Sequence, residues 1–345
     1  MPDRWVSPPL RSSHHHQRWL LALIVTCYLA LSLAYGWLNP IFEAPDELWH
    51  YLYVDHLQRY QALPVQDPLQ KEVGPRQEGS QPPLYYLLAA ALVSPIRVDD
   101  LPAYEELNPN HRMGDVLAPD ERNLIYHTEK ENVAFSGTAR AVHLVRLLST
   151  LLGLVTVLLT YAAAREVLPT AGGLALAAAS YVAFLPQFAF LSGAVNNDSL
   201  AVAVATLCLW LLLRLRRRAS TRLLILLGLA VGVASLTKLS AVGLAPVIAL
   251  GVLTAASPRG ARHVGPCRLA VVAAAALGVS GWWYTRNALL YGDPLGLNVM
   301  LAMVGTRDGP LDLPTLLTEL WLVKASFWAL FGWANVPAAD WFYLV

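Results

Sequence analysis

The chain has 345 residues, 56% of them hydrophobic and only 14% charged, with a net charge of +1 and a mean hydropathy of +0.44. Soluble domains carry about 25% charged residues, so the composition excludes an ordinary soluble fold, and the near-neutral charge argues against nucleic acid as a partner. Apolar runs of about 17–25 residues recur, the length that crosses a bilayer. In lipid such runs must be helical, because each backbone group needs a partner within its own segment. The expected class is an all-α polytopic membrane protein.

Residues 1–18 form a tail carrying Arg4, Arg11 and Arg18, which predicts a cytoplasmic N-terminus. His14, His15 and His16 within it read as solvated tail. The run 19–38 reads as a retained first span. Directly after it comes Pro40-Ile-Phe-Glu-Ala-Pro-Asp-Glu-Leu-Trp-His50. Pro45 suits a first helical position, which would put Asp46 and Glu47 in a first turn where the dipole favours anions, with Asp46 and His50 sharing a face. Leu48, Leu52 and Leu57 extend this helix to about Tyr60.

A polar region then runs to about residue 140, so that residues 39–140 form a large extracytoplasmic loop. Inside it, residues 82–95 have an apolar core too short to span and predict a juxtamembrane helix. Later spans are expected at 142–164, 171–191, 199–213, 223–236, 241–256, 269–289 and 317–331. If 82–95 does not cross, the short loops with Arg214, Arg216, Arg217, Arg218 and Arg222, and with Arg259, Arg262 and Arg268, share the inner side. The short loop 192–198 has no basic residue and lies outside. That distribution follows the positive-inside rule and predicts a multi-pass protein of the inner or plasma membrane. Trp282-Trp283-Tyr284 fits the outer interface. Cys27, Cys208 and Cys267 have neither metal spacing nor a disulfide frame.

Charged groups at membrane depth are costly and face a cavity or a partner. This topology puts Asp46-Glu47-His50, Asn196-Asn197-Asp198, Thr237-Lys238 and Arg286-Asn287 at one face, with His143 and Arg146 inside the second span. Each has a plainer reading: helix caps for the acids, snorkelling for Lys238, interfacial anchoring for Arg286, a structural ion pair for Arg146. Taken together they fit transfer of a group from a lipid-linked phosphate. A carboxylate beside a hydroxyl acts as general base, and cations stabilise the departing phosphate. Arg286 would hold phosphate oxygens bidentately and Lys238 would act as a point charge.

Glu43-Ala-Pro-Asp-Glu-Leu-Trp-His50, Gly79-Ser-Gln-Pro-Pro-Leu-Tyr-Tyr86, Asn196-Asn-Asp198, Leu236-Thr-Lys238 and Trp282-Trp-Tyr-Thr-Arg-Asn287 occur in an order that resembles the integral-membrane GT-C glycosyltransferases. The similarity is to the protein-mannosyltransferase and aminoarabinose-transferase type, over roughly residues 19–290. The resemblance implies a GT-C-like helical bundle over 19–345, a polyprenyl-phosphate sugar donor, an acceptor that is a glycan, lipid or protein, and inversion at the anomeric carbon. It implies Asp46 as catalytic carboxylate with Glu47 adjacent. His50, Glu78, Asn197, Asp198, Lys238, Arg286 and Arg146 are the expected substrate-binding set. The stretch 98–140 is additional to the family pattern; there Asn123, Tyr126 and His127 either bind sugar or belong to a solvated lid. The family's later spans and C-terminal domain are not in the sequence, so a partial chain is expected. No cofactor is required; one divalent cation on Asp46, Glu47 or Asp198 remains open, because GT-C enzymes differ in using one. The rival readings are a transporter, which would put substrate near the midplane between repeated halves, and a non-catalytic membrane scaffold.

Overall fold

The computed structural model describes residues 11–70, 74–116, 122–127, 137–255, 264–307, 309–310 and 312–344. Arg4, Arg259 and Arg262 lie outside the described residues. Among the described residues, the helices α1 (Arg11–Leu38), α4 (Gly137–Val167), α7 (Asp198–Arg217) and α10 (Val264–Tyr291) contain the four segments long and apolar enough to cross a membrane. With the helices that pack between them they make an all-α, multi-pass membrane protein.

The expected span 171–191 is not one straight helix. It is split into α5 (Gly172–Ala183) and α6 (Pro186–Ser192), bent by 63°. Pro186 is the reason. The proline ring disfavours helical geometry in the residue before it, and Leu185 is extended, with φ −67° and ψ 114°. The runs 223–236 and 241–256 appear as α8 (Thr221–Ser235) and as a 3₁₀ turn leading into α9 (Ala245–Leu253). Both are shorter than a full crossing at about 1.5 Å per residue.

Two short helices lie between the first two long ones in sequence. Helix α2 (Glu47–Tyr60) ends where the leucine spacing predicts, and α3 (Leu84–Val93) is too short to cross, as expected. Helix α3 is anchored rather than loose: Leu84 N–H donates to Leu236 O, and Tyr85 and Tyr86 are fully buried. The run 317–331 also departs from expectation. Helix α11 (Leu297–Val304) is followed by α12 (Leu313–Trp328), and residues 330–331 form β1 (Leu330–Phe331) of a small antiparallel hairpin with β2 (Val336–Pro337).

Close helix contact without a hydrophobic drive needs small residues. Gly228 and Gly232, one turn apart on α8, supply it: a Cβ on Gly232 would stand 2.7 Å from both Ala276 O and Val279 Cβ of α10. Gly232→Val should therefore force α8 and α10 apart and cost about 1–3 kcal/mol, read as a lower melting temperature of the purified protein in detergent. An unchanged melting temperature would show that the two helices do not depend on this contact.

Candidate active site

The acidic stretch after α1 sends its neighbouring carboxylates to different places. The backbone turns at Asp46, which is left-handed with φ 56° and ψ 6°, and the helix begins at Glu47. Pro45 is therefore not the first helical residue as expected. The turn buries Glu47 completely and leaves Asp46 only half-buried.

Glu47 meets Arg146 of α4, with Oε2 2.6 Å from Nη2 and Oε1 2.8 Å from Nε. The backbone N–H groups of Phe42 and Val195 donate to the same carboxylate at 3.0 and 2.8 Å. The remaining Arg146 protons go to the carbonyls of Gly36, Asn39 and Pro40 at 2.8–2.9 Å. Of the expected site residues, these two face each other and the backbone. His143 stacks on Trp37, with ring centroids 5.0 Å apart.

Asp46 accepts a hydrogen bond from Gln77 Nε2 at 2.9 Å. Burial raises its carboxyl above the ordinary range, while the Gln77 bond and the positive charge of Lys238 oppose the rise. Lys238, at the end of α8, forms a 2.7 Å ion pair with Asp198, the first residue of α7. Asn196 caps that helix, accepting from Ser199 N–H at 3.0 Å. Asn197 is fully buried, and its Nδ2 donates to Thr237 O at 3.3 Å, tying the two motifs together. Asp46, Asp198 and Lys238 thus share one electrostatic field at one end of the bundle.

Behind them is a buried neutral layer. His50 Nδ1 lies 2.8 Å from Tyr86 Oη and 3.2 Å from Glu78 Oε2, and Tyr86 O–H donates to Glu78 at 3.3 Å. Burial, reinforced by the charge on Asp46, pushes the Glu78 carboxyl up to about 8. Burial, with Lys238 nearby, pulls His50 down to about 3. The cost of burying charge outweighs the contact between the two, so both are neutral at pH 7.

Arg286 is one aromatic layer away. Its Nη2 donates to Pro64 O at 2.8 Å and its guanidinium lies 5.1 Å over the Trp283 ring. It acts on Tyr53, whose ring stacks on Tyr86 at 3.9 Å. Glu47 is taken by Arg146, and no group of three or more His, Cys, Asp or Glu side chains with metal-binding geometry occurs among the described residues. Tyr126 O–H donates to Asn108 Oδ1, and His127 Nε2 lies 2.7 Å from Glu43 Oε1. Glu43 also accepts from Leu124 and Ile125 N–H. Asn123 accepts at its carbonyl from Asn108 Nδ2.

A family model described as dolichyl-phosphate-mannose-protein mannosyltransferase matches residues 139–284, less than half of the chain, from α4 into α10. The crystal structure of the Archaeoglobus fulgidus oligosaccharyltransferase tethered to an acceptor peptide with an NVT sequon matches at a TM-score of 0.51 and 16% identity, over 83% of this chain and 33% of that one. The chain shares the helical fold of that oligosaccharyltransferase over the matched region. The apo form of the same archaeal protein gives a TM-score of 0.42 at 13% identity, over 88% of this chain and 39% of that one. The chain thus spans about a third of the length of these solved structures. Among curated proteins no sequence matches it. Asp46, Glu78 and Arg286 fall outside the matched residues 139–284, whereas Asp198 and Lys238 lie inside them.

Two residues of the site escape a reading of the sequence. Gln77 holds Asp46 from a short 3₁₀ helix, Arg76–Ser80. Trp333, from the turn of the hairpin, donates to Phe42 O at 3.1 Å and packs on Trp49, which closes over the acidic stretch. A tryptophan in a Gly-Trp-Ala-Asn turn is a visible but weak signal.

Removing one partner of a buried ion pair strands the other charge. Arg146→Met should cost about 3–5 kcal/mol, seen as a large drop in melting temperature; a normal melting temperature would refute the structural role. Glu78 also makes stability depend on pH. Its folded value is raised, so its contribution is full below the ordinary carboxylate range and is lost as pH rises through about 8. His50 is depressed from 6.5, and its own effect ends by that pH. From about pH 6.5 to 8 the melting temperature should fall in the natural protein and stay flat in Glu78→Gln. Parallel falls in both would remove Glu78 as the cause.

Proposed function

We propose that the protein is an inverting glycosyltransferase that moves a sugar from a polyprenyl-phosphate donor to an acceptor on the extracytoplasmic side of the membrane. The observation that carries this reading is the partition of the acidic motif. Glu47 is spent on the scaffold, and Asp46 is left half-exposed beside a lysine and a second acid. The acceptor hydroxyl oxygen attacks the anomeric carbon from the face opposite the leaving group. The bond from that carbon to the phosphate oxygen breaks, and the hydroxyl proton passes to Asp46. The charge that builds on the phosphate is met by Lys238, while Asp198 sets the lysine's position. Arg286 serves the donor from further out, at the edge of the tyrosine stack. A phosphate leaves readily as an anion, so no general acid is needed.

In this reading Glu47 and Arg146 hold the scaffold, and the neutral Glu78 and His50 line the pocket wall. The sidedness rests on the arginine distribution of the loops. A transporter would hold its charges near the midplane, whereas these gather at the ends of α7 and α8.

Asp46→Asn is a clean test, because asparagine also tolerates a left-handed backbone. The variant should melt normally and lose about 10²–10⁴-fold in transfer from a polyprenyl-phosphate sugar. Near-normal transfer would end the general-base assignment. Lys238→Ala should lower kcat and kcat/KM together, because the charge the lysine meets builds only as the phosphate departs; a raised KM with unchanged kcat would confine the lysine to donor binding.

A further inference from the structure

The charges at the other end of α7 are not used by this chemistry. The helix is 20 residues long, so its arginine-rich end lies about 30 Å from Asp198, close to the thickness of a bilayer's hydrocarbon core. Here the C-terminal ends of α4 and α7 and the N-terminus of α8 enclose a cavity of about 720 Å³. Arg214, Arg217, Arg218 and Arg222 line it against a single acid, Glu166, which gives the cavity a net charge of +3.

The arginines are arranged, not merely abundant. Arg214 and Arg217 both turn Nε toward Glu166, at 3.5 and 3.8 Å. Arg214 is also braced at 5.0 Å over the ring of Trp210. One carboxylate thus lies within ion-pair distance of two half-exposed guanidinium groups, whose Nη groups make no hydrogen bond to any described residue. Arg218 and Arg222 have no acidic partner among the described residues. The same cavity takes in the start of α8, where Ser220 caps the helix by accepting from Leu223 N–H and the dipole favours an anion. Beside this polar rim the lining is apolar, with Leu223 and Leu226 on one turn of α8.

Planar guanidinium groups match phosphate oxygens bidentately, and an apolar wall next to them suits acyl chains. We infer that this cavity binds the phosphate headgroup of an anionic phospholipid in the leaflet opposite the acidic site. A positive-inside bias alone accounts for the number of arginines. It does not call for a cavity, a shared acid that spaces two guanidinium groups, or an aromatic brace.

The test uses the full-length protein, purified in detergent and titrated with phosphatidylglycerol or phosphatidylcholine, with bound lipid counted by native mass spectrometry. The natural protein should retain phosphatidylglycerol about tenfold more tightly than phosphatidylcholine, and R218Q/R222Q should lose most of that preference. Because neither side chain has a partner among the described residues, this variant should elute and melt normally. R218K/R222K keeps the charge and the topological signal but lacks the bidentate fork, and should lose several-fold in affinity. Equal retention of the two lipids by the natural protein would overturn the inference, as would unchanged retention by R218Q/R222Q. Release of the bound lipid by millimolar inorganic phosphate would also overturn it, and would assign the cavity to a soluble anion.

Discussion

A guanidinium and a carboxylate with almost no access to water organise this end of the molecule. Arg146 and Glu47 are 2% and 0% exposed, in a protein whose surroundings supply no solvent to repay their burial. Such a pair persists only if its remaining lone pairs and protons are satisfied. Here they are, by backbone that would otherwise have no fixed shape: the carbonyls of Gly36, Asn39 and Pro40, and the N–H groups of Phe42 and Val195. The pair therefore closes the exit of α1, the start of α2, the interior of α4 and the loop before α7 into one unit. Asp46 is the next residue along the chain. Its left-handed backbone is the geometric consequence of sending Glu47 inward, and that is what turns its own carboxylate toward Gln77 and the Lys238–Asp198 pair.

Much of this was legible in the sequence because membranes narrow the choices. The long apolar runs at α1, α4, α7 and α10 could only be helices, and the proline-flanked run at α3 was too short to cross. The convergence of Asp46, Asp198 and Lys238 followed from counting crossings and reading the arginines of the loops. The division of labour between Asp46 and Glu47 was not legible. Both are acids one residue apart, and only the turn at Asp46 decides which faces inward. The kink before Pro186 had a local signal that the strong apolar pattern of 171–191 masked. The roles of Glu43, which clamps Leu124, Ile125 and His127, and of Trp333 depend on pairings across 81 and 291 residues of sequence; no periodicity encodes such distances.

The polar groups form two layers with opposite electrical character. Asp46, Asp198 and Lys238 are partly open, with one cation set between two acids. His50, Tyr86 and Glu78 lie behind, nearly or fully buried, where an ionised form would be costly. A neutral hydrogen-bonded layer of this kind supports the charged layer without adding to its field. It also gives the wall donors and acceptors that do not compete with Lys238 for an anion. Glu78 is the hinge between the layers, since the charge on Asp46 is one of the influences that keep it protonated.

Helix α7 links the two ends of the protein through its own dipole. Asp198 sits in its first turn and Arg214, Arg216 and Arg217 in its last, each sign placed where the helix favours it. A single crossing thus carries an acid to one membrane face and a cluster of bases to the other. Both faces then use the same local rule, in which a carboxylate fixes the position of cations: Asp198 for Lys238, Glu166 for Arg214 and Arg217. The results differ because the neighbours differ. At one end a half-buried Asp46 adds a basic oxygen beside the lysine, which suits bond-making. At the other, two further arginines and an apolar wall leave an excess of positive charge with no base, which suits holding an anion in place.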